Sequence, residues 1–150
     1  MPQSLVSLNV HIVFSTKNRE PFIDADLAPR LYGYMGGVIS NTGSVLINIG
    51  GVTDHVHMLV SLGRQSCIAD LVRNVKSNSS RWVHDTFAEK SQFAWQGGYG
   101  AFTVSLSLIA RVKAYIANQV EHHKRETFQD EFRTFLKQHG LDYDERYVWE

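Results

Sequence analysis

A chain of 150 residues, 43% of them hydrophobic, has the size and apolar content of one folded domain spanning residues 1–150, and excludes a disordered segment. Net charge is zero, with 15 Lys+Arg against 15 Asp+Glu, which excludes a uniformly basic nucleic-acid binder. The charge is divided, however: residues 1–125 carry 12 basic and 8 acidic side chains, residues 126–150 carry 3 and 7. A basic body with an acidic tail can still present a local positive surface. No stretch is long and apolar enough to span a membrane, and the start lacks a basic segment followed by an apolar run. Cys67, the single cysteine, forms neither an internal disulfide nor a cysteine-based zinc site. A reducing cytoplasm is the expected setting.

Alternating apolar residues (Leu5, Val6, Leu8, Val10, Ile12) predict a first strand over residues 4–14. A polar, basic loop follows to Pro21. Asp24 caps a predicted helix that runs to Asn41, with Leu27, Leu31, Tyr34, Met35, Val38 and Ile39 on one side. Strands are predicted over 44–52, where Gly50-Gly51 marks a bulge or turn, and over 56–62. A second long helix spans about 66–87. A glycine-rich turn after Trp95 leads to a fourth strand, 101–104. Ser105 or Ser107 caps a third helix to about His123, and Thr127 caps a fourth over 128–138, stopped by Gly140. The order β-α-β-β-α-β plus two helices predicts an α+β, ferredoxin-like (split βαβ) antiparallel sheet with two helices on one face.

His55 and His57 flank Val56 at the start of the third strand. Residues i and i+2 of a strand share a face, so two imidazoles stand side by side and suit one divalent metal. Read alone, they are equally a hydrogen-bonded pair buried in a sheet. Tyr115 and Gln119 share a helix face at i, i+4. Read alone, that tyrosine is a core residue. Together, a His pair, a Tyr and a Gln make a metal-assisted tyrosine nucleophile.

The ordered set Gly51-Val52-Thr53-Asp54-His55-Val56-His57, then Tyr115-Ile116-Ala117-Asn118-Gln119, resembles the single-tyrosine HUH transposases of the insertion-sequence 200/605 type. His11-Ile12-Val13-Phe14-Ser15-Thr16-Lys17-Asn18-Arg19, Ser77-Asn78-Ser79-Ser80-Arg81-Trp82, Trp95-Gln96-Gly97-Gly98-Tyr99 and Tyr143-Asp144-Glu145-Arg146-Tyr147 extend the likeness nearly end to end. The resemblance implies a prokaryotic, cytosolic enzyme that nicks and rejoins single-stranded DNA at hairpin ends through a 5′-phosphotyrosine. It implies Tyr115 as nucleophile and His55, His57 and Gln119 as ligands of Mg²⁺ or Mn²⁺. It also implies a homodimer in which the Tyr115 helix serves the partner's His pair. A domesticated nicking enzyme acting on chromosomal hairpin repeats and a non-catalytic hairpin-binding regulator are the alternatives.

Lys17, Arg19, Arg73, Lys76 and Arg81 are candidate phosphate contacts, or solvated surface charge. Tyr99 and Phe102 either stack on bases or pack. Trp82 and Phe87 are expected to pack. His122-His123 reads as a helix end favoured by the dipole rather than as ligands, and Asp54 as a turn residue. No general base for Tyr115 is evident.

Overall fold

The computed structural model describes residues 2–150. Four strands form one antiparallel sheet: β1 (Asn9–Ser15), β2 (Val45–Val52), β3 (His55–Ser61) and β4 (Gly100–Thr103), in the order β2-β3-β1-β4. Helices α1 (Leu27–Asn41) and α2 (Ile68–Thr86) are the two crossovers. This is the ferredoxin-like arrangement. The chain continues through α3 (Ile109–Ala117), α4 (Gln119–His122) and α5 (Phe128–Gln138).

The period of two divides β1 and β3 between two environments. Val10, Ile12 and Phe14 of β1 join Val56, Met58 and Val60 of β3 in the main core with α1 and α2. Each such side chain, fully buried, contributes roughly 1.5–3 kcal/mol. The alternate positions, His11, Val13, His55 and His57, are also buried but face the other way. There Val13 packs with Phe102 of β4 and with Phe128, Phe132 and Leu136 of α5. The sheet is therefore covered on both faces, and the second layer makes the site.

Several boundaries shift. The first strand begins at Asn9 rather than residue 4, because its ladders end at Asn9↔Ser61 and Val10↔Thr103. The irregularity in β2 falls at Leu46/Asn48, not at Gly50-Gly51, which pair regularly with His57 and Val56. Gly50 has a different purpose: a Cβ there would lie 2.6 Å from the Ile116 carbonyl oxygen, so its bare backbone lets α3 sit close on the sheet. Gly100 does the same for Phe132 of α5, at 2.7 Å.

The third helix is not continuous. A single 3₁₀ turn, Leu106–Leu108, precedes α3, and Asn118 (φ −102°, ψ 21°) breaks the chain between α3 and α4. Neither Ser105 nor Ser107 caps it; their hydroxyls face each other at 3.2 Å. The other caps form as expected. Leu27 N–H donates to Asp24 Oδ1 at 2.8 Å, and Asp130 N–H to Thr127 Oγ1 at 3.2 Å. Gly140 adopts φ +65° just beyond α5.

Candidate active site

β3 presents His55 and His57 on the face opposite α1 and α2, both fully buried. Each imidazole is held by its Nδ1. That of His55 lies 2.7 Å from Asp54 Oδ1, in the turn that starts the strand. That of His57 lies 2.8 Å from His11 Nε2 on β1. Both Nε2 atoms are thereby turned to a common point.

α3 and α4 bring the next groups. Gln119, buried at the start of α4, places Oε1 3.3 Å from His55 Nε2, and its Nε2–H donates to the Tyr115 carbonyl at 3.3 Å. The Asn118 break therefore still leaves Tyr115 and Gln119 on the site. The Tyr115 ring stands edge-on to His57, centroids 5.8 Å apart. Its hydroxyl donates to Glu131 Oε2 and lies 3.1 Å from His122 Nε2. Within one chain, His55, His57, Tyr115 and Gln119 lie together.

Glu131 was not legible as a site residue. It is 2% exposed on the apolar side of α5, between Phe128 and Phe132. The signal was a carboxylate on the buried stripe of an amphipathic helix, disguised as an ordinary first-turn acid favoured by the dipole. Its Oε1 stands 2.9 Å from His57 Nε2 and 3.5 Å from His55 Nε2. The pair His122-His123 ends α4 but turns inward rather than to solvent. His122 Nε2 meets Glu126 Oε2 at 2.8 Å and Glu131 Oε2 at 3.1 Å, and His123 Nε2 lies 3.2 Å from Glu131 Oε2. Among the described residues, His55, His57, His123 and Glu131 each offer a ligand atom within 4.8 Å of the others.

Burial sets the protonation pattern. It pushes His11 down to about 3, with His57 adding to the effect, and His57 down to about 4 against the pull of Glu131. Burial opposes the charge of Glu131, but His123, His57 and Tyr115 around it hold its carboxyl well below the usual range. The Tyr115 phenol is pushed well above its usual value, by burial first and then by Glu131. The resting site therefore holds a Glu131 carboxylate, neutral His11 and His57 rings and a protonated tyrosine, while at the His123 ring burial is outweighed by Glu131 and the Glu126 carbonyl, which pull it above its ordinary value.

A cavity of about 340 Å³ opens beside Tyr115, lined also by His11, Arg111, His122 and Phe135. The predicted phosphate contacts are divided by the sheet. Lys17 and Arg19 lie in a turn just after β1, tied to Asp54 by the Thr16 N–H···O bond of 2.9 Å. Arg73, Lys76 and Arg81 are on α2, across the sheet from the His pair. Lys76 is not free: its ammonium donates to the carbonyls of Gln96, Gly97 and Gly98, and burial lowers it to about 8. Arg73 pairs with Asp70 at 2.8 Å on the surface. Of the candidate stacking rings, Phe102 is core and Tyr99 is 39% exposed. Trp82 stacks on Tyr34, centroids 4.9 Å apart, and Phe87 is buried.

A ferredoxin-like sheet with a His pair on one strand and a tyrosine and glutamine on the following helices defines a DNA strand transferase with a tyrosine nucleophile. The sequence profile of the family described as "Transposase IS200 like" matches residues 4–119, and the chain belongs to that family. It is 26% identical over 117 residues to the ISDra2 transposase TnpA of Deinococcus radiodurans, covering 75% of this chain and 84% of that one. A crystal structure of a protein assigned as a transposase from D. radiodurans R1 superposes with a TM-score of 0.65 at 26% identity, over 79% of this chain and 98% of that one. The fold is also that of the REP-associated tyrosine transposase bound to a REP hairpin: TM-score 0.60, 13% identity, 81% and 73% coverage. The matched family segment ends at Gln119, so His122, His123 and Glu131 lie beyond it. Among the described residues no helix is long and apolar enough to cross a membrane.

Proposed function

We propose that the chain nicks and rejoins single-stranded DNA at hairpin ends, with Tyr115 as nucleophile and a divalent ion held by His55, His57 and Gln119. One observation carries this reading: His55 Nε2 meets Gln119 Oε1 at 3.3 Å, His55 Nε2 and His57 Nε2 both turn to Glu131 Oε1, and the Tyr115 hydroxyl donates to the other oxygen of that carboxylate. The donor set fits Mg²⁺ or Mn²⁺, since two neutral nitrogens and an amide oxygen leave the ion's charge uncancelled. Bound there, such an ion supplies Lewis-acid polarisation of a phosphodiester oxygen.

The remaining work belongs to the chain. Glu131 Oε2 accepts the phenolic hydrogen bond, and His122 Nε2, 3.1 Å from the hydroxyl, is the base in reach to take the proton. The phenolate oxygen attacks phosphorus, a P–O(Tyr) bond forms, and the P–O3′ bond breaks. The 3′ oxygen departs as a hydroxyl after taking up a proton, leaving a 5′-phosphotyrosine. Attack by a different 3′-hydroxyl reverses the step and joins new ends, with no nucleotide cofactor. Arg111, on the cavity wall, and Lys17 and Arg19, near Asp54, are the cations placed to hold the backbone. In this reading each chain closes its own site. The exchanged homodimer that the resemblance implies is the alternative assembly.

The test incubates the protein with labelled single-stranded DNA from its own genomic flanks in Mg²⁺ or Mn²⁺. A slow-migrating covalent band is expected with the wild type and none with Tyr115→Phe, which keeps fold and DNA binding. A band at wild-type level in Tyr115→Phe would reject the nucleophile.

A further inference from the structure

His123 is the least explained group in the molecule. Its Nδ1–H donates to the Glu126 carbonyl oxygen at 2.7 Å, which leaves Nε2 as the free nitrogen of the ring. That Nε2 is buried and is the one buried side-chain polar atom among the described residues with no hydrogen-bond partner. Glu131 Oε2 is 3.2 Å away, but the contact lacks hydrogen-bond alignment. A buried ring nitrogen this close to a carboxylate oxygen calls for a proton or a metal cation between them.

The same pattern recurs around it. His55 has Nδ1 on Asp54 and His57 has Nδ1 on His11, with both Nε2 atoms turned inward. His123 repeats it with a backbone carbonyl as the outer partner. Fixing the tautomer through Nδ1 and freeing Nε2 is how proteins orient imidazole ligands. Glu131 lies at the centre of the three, and its Oε1 is 2.9 Å and 3.5 Å from the Nε2 atoms of His57 and His55. Adjacent donors about 2.1 Å from one octahedral ion stand about 3 Å apart, so these spacings suit ligands of a single cation.

We infer that Glu131 and His123 are ligands of the same divalent ion as His55 and His57, so that the metal centre is completed by a segment lying beyond residues 4–119 matched by the family profile. The inference rests on the proposed metal-dependent function. It gives the acidic C-terminal part of the chain a purpose: α5 brings a carboxylate to the sheet, and Gly100 lets Phe132 seat that helix closely. Three imidazoles and a carboxylate suit Mn²⁺ and later transition ions better than Mg²⁺.

The test uses the full chain and Mn²⁺ alone, without DNA. Free Mn²⁺ is read by its solution EPR signal during titration of wild type, His57→Ala, Glu131→Gln and His123→Ala. His57→Ala should lose binding, and Glu131→Gln and His123→Ala should each bind at least about tenfold more weakly. Pulsed EPR of the loaded wild type should count three coordinated imidazoles, and two in His123→Ala. If His123→Ala does not fold, as judged by circular dichroism, the wild-type count decides alone. Glu131→Gln and His123→Ala binding as tightly as wild type, or a wild-type count of two, overturns the inference while leaving the His55/His57 metal reading intact. Absence of Mn²⁺ binding by wild type overturns both.

Discussion

His11 Nε2 and His57 Nδ1 lie 2.8 Å apart, joining neighbouring strands beneath the site. With His57 Nε2 reserved for a cation, Nδ1 carries the proton and His11 accepts it. That bond fixes the ring's tautomer and its rotation. Replacing His11 by Phe keeps an aromatic body but removes the acceptor. Mn²⁺ affinity should fall about 10- to 100-fold with the sheet intact by circular dichroism. Calorimetry showing unchanged affinity would make His11 a packing residue only.

Metal removal should separate binding from chemistry. His55→Ala and His57→Ala, like chelation of the wild type, should lower covalent adduct formation by orders of magnitude while hairpin affinity changes little. Gel-shift and adduct assays on one labelled substrate measure both. Equal loss of binding and of adduct would place the His pair in DNA recognition instead.

Gly50 should resist even a methyl group. Gly50→Ala puts Cβ against the Ile116 carbonyl at 2.6 Å, so α3 must move and carry Tyr115 with it. Nicking should fall roughly 10²-fold, as for other displacements of about 1 Å, and stability by about 1–3 kcal/mol. Gly37→Ala on α1, with nothing within 4 Å of its Cβ, should instead be neutral or stabilising by up to about 1 kcal/mol. Chemical denaturation of the two variants makes the comparison.

Acid should destabilise the fold. His11 and His57 sit at about 3 and about 4 in the native state and near 6.5 when unfolded. The unfolded chain therefore binds more protons across that window, and stability is lost as pH falls from about 6.5 towards 4. Glu131, held below its ordinary value, adds a loss of the same sign at lower pH. Melting temperatures in the absence of metal should drop between pH 7 and pH 4.5. A flat profile would mean that these rings are not held neutral.

Mixing inactive chains decides where the site is assembled. Tyr115→Phe and His57→Ala chains, tagged to different lengths, are combined and given labelled DNA. A site closed within each chain leaves every site with one defect, so no labelled band is expected. Label on the His57→Ala chain would establish the exchanged homodimer.

The residue patterns alone determined a good deal. Alternation in β3 put His55 and His57 on one face, and the spacing of Tyr115 and Gln119 put them together, because strand and helix periods are local properties of the backbone. The Thr127 cap and the Gly140 stop set α5 for the same reason. What the sequence could not display was which face of the sheet each later element would cover. Glu131 read as a helix-dipole acid and His123 as a helix end. Only the folding of α3, α4 and α5 onto the second sheet face turned both inward. The positions of the basic residues were decided by the same stacking. Arg73, Lys76 and Arg81 share a helix with the apolar stripe that covers the first face, so packing carried them away from the His pair. Long-range packing decided these points, since a side chain's partners across 50 or more residues depend on how layers stack. That stacking is governed by shape and burial, which no local period encodes.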